Sequence, residues 1–217
     1  SAPDIGHALN TALADGGLRC FDLAMVRTWI GDGPDALISR ALAAQDVSPD
    51  DAGMRQRLRR GFDEATLAAP LDNGCVYPGI ADLLDSLHGV LPMAVVTNKP
   101  TRLAQAVLEA AGLSHRLMHV QGADTPAQRK PAPSMLLSTA ARFGLQPSRM
   151  LMVGDAPPDM LAAQAAGCLA ALVGWGYGAH AVPSASRPWR VETPQKLGSS
   201  LLAMAHPSRP SPTVSID

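Results

Sequence analysis

The apolar run Met150-Leu-Met-Val153 stops abruptly at Gly154-Asp155, and Ala-Pro-Pro-Asp159 follows. Four apolar residues ending in Gly-Asp read as a buried strand that delivers an acid to its carboxyl end. Pro157 and Pro158 suit the opening turn of a helix, where a missing N–H costs little. A strand running straight into a helix points to an open α/β sheet, whose ligands bind along the carboxyl ends of the strands. Asp155 and Asp159 lie four residues apart and can share that rim, where paired carboxylates suit an oxygen-preferring cation such as Mg2+. The other reading of the same acids is decoration of a helix N-terminus, worth under about 1 kcal/mol each.

The chain around this run divides into two patterns. Residues 1–72 read as helical throughout. Ser1-Ala-Pro-Asp4 resembles a capping box ahead of a helix that Gly16-Gly17 ends. Further helices are predicted from Leu23 to Ile30, from Pro34 to about Ala44, and from Ser48-Pro49-Asp-Asp51 to about Ala69. After Tyr77-Pro78-Gly79 the pattern alternates. Helices are expected at Ile80–Leu87, Thr101–Ala111, Ser134–Phe143 and Leu161–Ala166. Strands are expected at Met93–Thr97, Leu117–Gln121, Met150–Val153 and Leu169–Val173, the last closing the core. Such alternation implies a parallel sheet with helices on both faces. The expected division is a helical cap over 1–74, an α/β core over 75–200, and a Pro- and Ser-rich disordered tail over 201–217.

Composition narrows the partners. A formal charge of −1 supplies no basic excess for a nucleic-acid backbone, so charged partners should be small and met at one site. No apolar run is long enough to cross a membrane. With no leader pattern in these residues, the expected address is cytoplasmic. Cys20, Cys75 and Cys168 have neither disulfide nor zinc spacing, and the six histidines show no metal-ligand pattern. The cluster Arg55, Arg57, Arg59 and Arg60 reads as a solvated helix face.

Three strand ends carry candidate chemistry. Thr97 and Asn98 follow a strand and precede a helix, which suits either an anion site or a plain helix cap. Lys130, in Arg129-Lys-Pro-Ala-Pro133, lies between a strand and a helix. Only Lys99, Lys130 and Lys196 stand against fifteen arginines, so Lys130 reads as a point charge for a phosphoryl oxygen or as a solvated loop lysine. Asp124 upstream is open to pairing with it or to simple loop polarity. Asp155 with Asp159 is the third.

The ordered set of Thr/Asn, Lys and Gly-Asp-x-x-x-Asp resembles the haloacid dehalogenase superfamily, nearest its phosphoglycolate phosphatase branch. The likeness extends over Ser1-Ala-Pro-Asp4-Ile, Val26-Arg-Thr-Trp-Ile-Gly-Asp-Gly33, Val95-Val-Thr-Asn-Lys-Pro100, Lys130-Pro131, Gly154-Asp155 and Gly174-Trp-Gly-Tyr-Gly178. It implies a Rossmann-like core with a small helical cap and a Mg2+-dependent phosphatase acting on a small phosphate monoester, 2-phosphoglycolate first. By the same resemblance Thr97 and Asn98 hold the phosphoryl group and Lys130 neutralises it. Asp155 ligates Mg2+ with Asp159 orienting that site, and Arg27, Gly31 and Gly33 of the cap face the substrate. The implied mechanism passes through an aspartyl-phosphate. A monomer or homodimer is expected.

One departure stands out. The family's first motif, a strand ending in Asp-x-Asp-Gly-Thr that carries the nucleophile, does not occur in these 217 residues. Phe21-Asp-Leu23 mimics only its beginning, and Asp22 reads as a helix-start acid. The sheet is therefore expected to lack its first core strand. An enzyme truncated ahead of Ser1, inactive as it stands, is one expectation. A catalytically dead phosphate-binding or interaction protein of the same fold is the alternative, with a sugar-phosphate phosphatase or phosphomutase as a sister activity.

Overall fold

A computed structural model describes residues 2–183 and 188–205. The front of the chain is a bundle of four helices: α1 (Ala2–Asp15), α2 (Leu23–Trp29), α3 (Pro34–Ala43) and α4 (Ala52–Ala68). Leu9 and Leu13 on α1 and Leu58 and Phe62 on α4 repeat at i, i+4 and meet in one core with Leu37, Ile38 and Leu42 of α3. Asp22 and Asp51 each accept a hydrogen bond from a first-turn amide, Met25 N and Met54 N, as helix-start acids do. Arg55, Arg57 and Arg60 are exposed, whereas Arg59 is not simply solvated: it pairs with Asp35 and with Asp63.

The rest alternates helix and strand. In order come α5 (Ile80–Leu87), β1 (Ala94–Thr97), α6 (Thr101–Ala110), β2 (His119–Gly122) and α7 (Ser134–Arg142). Then follow β3 (Leu151–Gly154), α8 (Pro157–Ala166), β4 (Leu169–Val173), β5 (Trp189–Val191) and α9 (Pro194–Ala205). Every strand pairing is parallel. β5 and α9 go beyond the sequence reading, which closed the core at Val173. A three-residue strand shows no readable period, and α9 follows it after only two residues. The expected tail therefore begins inside a helix at residues 201–205, and its remainder lies outside the described residues. α8 starts at Pro157, one turn earlier than Leu161, because the prolines occupy its first turn.

Among the described residues the strands form two sheets, β1-β2 and β3-β4-β5. In β1 the carbonyls of Met93 and Thr97 accept from the β2 side. Strand alternation therefore turns the backbone groups of Ala94 and Val96 to the opposite edge. In β3 Met150 O accepts from Leu169 N, which turns Leu151 and Val153 away from β4 in the same way. Among the described residues, no strand pairs with that edge of either sheet.

The Ser1 half of the expected capping box lies outside the described residues, and Asp4 itself has partners far along the chain. Its Oδ1 accepts from the backbone amides of Asn73 (2.7 Å) and Gly74 (3.2 Å), so the start of the helical lobe is tied to the segment that leaves it.

Candidate active site

The carboxyl ends of β1 and β3 face the cap across a cavity of about 880 Å3. It brings together Thr97, Asn98, Lys130, Asp155 and Asp159 from the core, and Arg27, Gly31 and Gly33 from the cap. All eight residues singled out in the sequence therefore line one space. They differ in what they are free to do.

Lys130 is 9% exposed, and its ammonium donates to Val96 O (2.8 Å) and to Asp159 Oδ1 (2.6 Å). It is no solvated loop lysine. Asp159 Oδ2 in turn accepts from the amides of Asp155 and Ala156, both at 3.1 Å. Both oxygens of Asp159 are committed, one to Lys130 and one to the first turn of α8. Asp159 thus anchors the lysine and the turn that carries Asp155. A Cβ on Gly154 would run into the Asp159 side chain, so the strand must end in glycine for this carboxylate to fold back.

Asn98 is also committed. Its Oδ1 accepts from Lys130 N (2.7 Å), and its Nδ2 donates to Gly31 O (3.0 Å) and Lys130 O (3.1 Å). It fastens the lysine loop to the cap and leaves Thr97, whose hydroxyl oxygen accepts from Lys99 N at 3.2 Å, as the polar side chain at the end of β1. Asp124 neither pairs with Lys130 nor idles in solvent, because it caps α6 through Thr101 N (2.8 Å) and Oγ1 (2.7 Å).

Asp155 stands at the rim with Oδ2 accepting from Tyr177 N at 2.7 Å. That bond ties the loop after β4 to the site. Its Oδ1 has no protein partner among the described residues and is the carboxylate oxygen available to a cation. No group of three or more His, Cys, Asp or Glu side chains is gathered for a metal among the described residues. One free carboxylate oxygen fits a Mg2+ that takes its other ligands from water and substrate phosphate, as this ion commonly does. It does not fit a cation caged by protein alone.

On the cap side, Gly33 has φ +86° and a Cβ there would come to 2.9 Å from Asn98 O. Glycine is required both for the left-handed turn into α3 and for the close approach of cap to core. Gly31, at φ +136°, presents its carbonyl to Asn98. Arg27 is exposed on the cavity wall. Sequence reading missed Tyr77 and His180 in the wall, and Asp35 and Arg129 beside it. Burial and the neighbouring Tyr177 push the Tyr77 hydroxyl above its usual range, and the charge of Asp155 adds to this. Nothing in the spacing of these residues marks them.

The haloacid dehalogenase-like hydrolase family model matches residues 4–167. The chain belongs to this family. Phosphoglycolate phosphatase of Rhodospirillum rubrum is 38% identical over 189 residues, which cover 85% of this chain and 78% of that protein. Phosphoglycolate phosphatase of Aliivibrio fischeri is 36% identical over 209 residues, covering 94% and 92%. The crystal structure of a predicted phosphoglycolate phosphatase from Haemophilus somnus 129PT superposes with a TM-score of 0.82 at 29% identity, covering 93% of this chain and 92% of that one. The haloacid dehalogenase-like hydrolase described here is thus of the phosphoglycolate phosphatase-like branch, a phosphoric monoester hydrolase by family with a Rossmann-like α/β fold. No helix among the described residues is long and apolar enough to cross a membrane.

Proposed function

We propose that the site hydrolyses a small phosphate monoester, 2-phosphoglycolate, with Mg2+, using a nucleophilic aspartate that lies outside these 217 residues. The observation that carries this reading is the Lys130 ammonium, buried against Asp159 and Val96 O at the strand ends. A cation held there is preorganised for a phosphoryl group and needs no reorganisation when charge develops on it. Thr97 Oγ1 is free to donate to a phosphoryl oxygen. Bound Mg2+ would supply further neutralisation of the phosphoryl oxygens, with Asp155 Oδ1 as its protein ligand. The loop bond from Tyr177 holds Asp155 in place.

In the proposed reaction a carboxylate oxygen attacks phosphorus, and the P–O ester bond breaks as the alkoxide leaves and takes a proton from water, which the proton released in the later hydrolysis replaces. Water then splits the acyl phosphate, returning the carboxylate and releasing phosphate. The acids already in the cavity have other work. Asp159 holds Lys130, Asp155 faces the cation position, and Asp32 pairs with Arg40. The two inner sheet edges at Val96 and Val153 are consistent with a further parallel strand between β1 and β3, which would bring its carboxyl end beside Lys130.

The test compares the 217-residue chain with one extended upstream by its natural codons, assayed on 2-phosphoglycolate with Mg2+. The expected result is negligible turnover by the first and robust turnover by the second. Robust turnover by the 217-residue chain would refute an external nucleophile. Inactivity of both chains would favour a binding protein.

A further inference from the structure

Lys99 is a cation of the cavity wall to which the proposed reaction gives no part. It follows Thr97 and Asn98 at the end of β1 and lines the cavity in company with Ile5, Leu37 and Phe62 of the cap. Its backbone is fixed on both sides: Lys99 N donates to Thr97 Oγ1 at 3.2 Å, and Lys99 O accepts from Ala123 N at 3.2 Å. Its ammonium, by contrast, has neither a hydrogen bond nor a carboxylate within ion-pair distance among the described residues. Lys130 differs, being fully engaged with Val96 and Asp159.

We infer that Lys99 is a specificity-determining residue, whose ammonium pairs with a carboxylate on the substrate one carbon away from the phosphoester oxygen. The inference rests on the phosphatase reading above and names the second group that the site recognises. A phosphoryl group at Thr97 and Lys130 leaves the rest of a small substrate beside Lys99. Thr97 and Lys99 are two residues apart, so their Cα atoms are separated by at most about 7 Å. The two anionic ends of a two-carbon phosphocarboxylate are a comparable span.

Electrostatics favours Lys99 over Arg27 for this task. Arg27 is exposed, so water screens its charge. Lys99 sits in a partly apolar corner, and burial lowers its pKa, while the charges of Asp4 and Asp63 work the other way and favour the ammonium form. An ammonium without a partner in such a corner gains most from an incoming anion, because the ion pair replaces hydration already lost. Asp4 leaves its Oδ2 buried without a hydrogen bond, so it supports the charge of Lys99 from a distance without occupying it.

Calorimetric titration of the 217-residue chain with Mg2+ present tests this, using 2-phosphoglycolate and ethyl phosphate as the probes. Wild-type protein is expected to bind 2-phosphoglycolate at least about tenfold more tightly, the gain of one charge-assisted contact. Lys99→Met should abolish that preference while leaving ethyl phosphate binding unchanged, and Lys99→Arg should retain most of it. A preference that survives in Lys99→Met overturns the inference, as does equal weakening of both ligands. Should neither the 217-residue chain nor the upstream-extended one bind either ester, the phosphatase reading itself falls and the inference with it. If Lys99→Met does not fold, Lys99→Gln gives the same comparison.

Discussion

Asp35, in the first turn of the cap helix α3, is ion-paired with Arg129, the residue immediately before Lys130 in the core. Arg59 of α4 reaches the other oxygen of Asp35 at 2.6 Å and also pairs with Asp63. One carboxylate therefore joins two cap helices to the loop that carries the principal cation of the site. Partial burial works to raise the Asp35 pKa, but hydrogen bonds and charge from Arg59 and Arg129 outweigh it and hold the carboxyl below its ordinary range. At Arg59, hydrogen bonds and charge from Asp63 and Asp35 outweigh desolvation and raise its pKa.

Replacing Asp35 by Ala leaves both arginines without this partner. The groups are about a quarter to a third exposed, so the loss should be about 1–2 kcal/mol, above an exposed pair and below a fully buried one. The sign with pH follows from the depressed folded-state pKa. The stabilisation is fully present above the ordinary carboxyl value of 3.8 and is lost as pH falls through the lower folded value. Melting temperatures of wild type and Asp35→Ala should differ by a constant amount near neutrality and converge below about pH 4. A gap that widens on acidification would show that the carboxylate is not held by these arginines.

Gly33→Ala tests the contact between cap and core at its tightest point. The new Cβ would meet Asn98 O at a backbone angle that L-residues rarely adopt. Strain of about 1–3 kcal/mol is expected. Because Asn98 also holds Lys130, phosphate affinity should fall together with stability. Gly17→Ala is a control, since its φ is similarly positive at +71° but no atom lies within 4 Å of its Cβ. It should lose stability and keep phosphate binding. Equal effects on phosphate binding in the two variants would mean that the Gly33–Asn98 approach is irrelevant to the site.

Much of this was readable in the sequence, and what was not has a physical reason. Helices such as α3, with Pro at its first position and an i, i+4 apolar face, declare both their start and their buried side. The motif residues Thr97, Asn98, Lys130, Asp155 and Asp159 stand at strand ends, so their convergence followed from the βα alternation. Their division of labour did not. Whether Asp159 meets a metal ion or an ammonium depends on how Lys130 approaches from a loop 29 residues away in the chain. Likewise Asp4 carried a familiar local pattern, yet its partners Asn73 and Gly74 are about seventy residues distant. Spacing reports what a helix or strand does locally, and these choices are tertiary.

Asp155 offers a substitution that separates ligation from scaffolding. Asp155→Asn keeps an oxygen to accept from Tyr177 N and removes the charge that a cation would meet. In the upstream-extended protein it should raise the Mg2+ concentration for half-maximal activity and lower kcat at least about 100-fold, with little change in melting temperature. Activity titrations against Mg2+ check this. A loss below tenfold with unchanged Mg2+ dependence would mean that Asp155 serves only the loop.

The Lys130–Asp159 pair makes a sharper prediction, because each group is 9% exposed at its side chain. Removing one partner strands the other in a poorly solvated site, at a cost of about 3–5 kcal/mol, whereas removing both avoids the stranded charge. Asp159→Leu should therefore destabilise strongly, both through Lys130 and through the amides of Asp155 and Ala156 that lose their acceptor. Lys130→Met should destabilise as well. The double variant should be more stable than the two single losses added together, with a coupling energy of about 1–3 kcal/mol in a denaturation cycle. Phosphate binding separates the stability role from the functional one. It should be lost in Lys130→Met and stay lost in the double variant, since recovered folding does not return the cation. Strict additivity would show that the two groups do not depend on each other, and phosphate binding by the double variant would move the phosphoryl site away from Lys130.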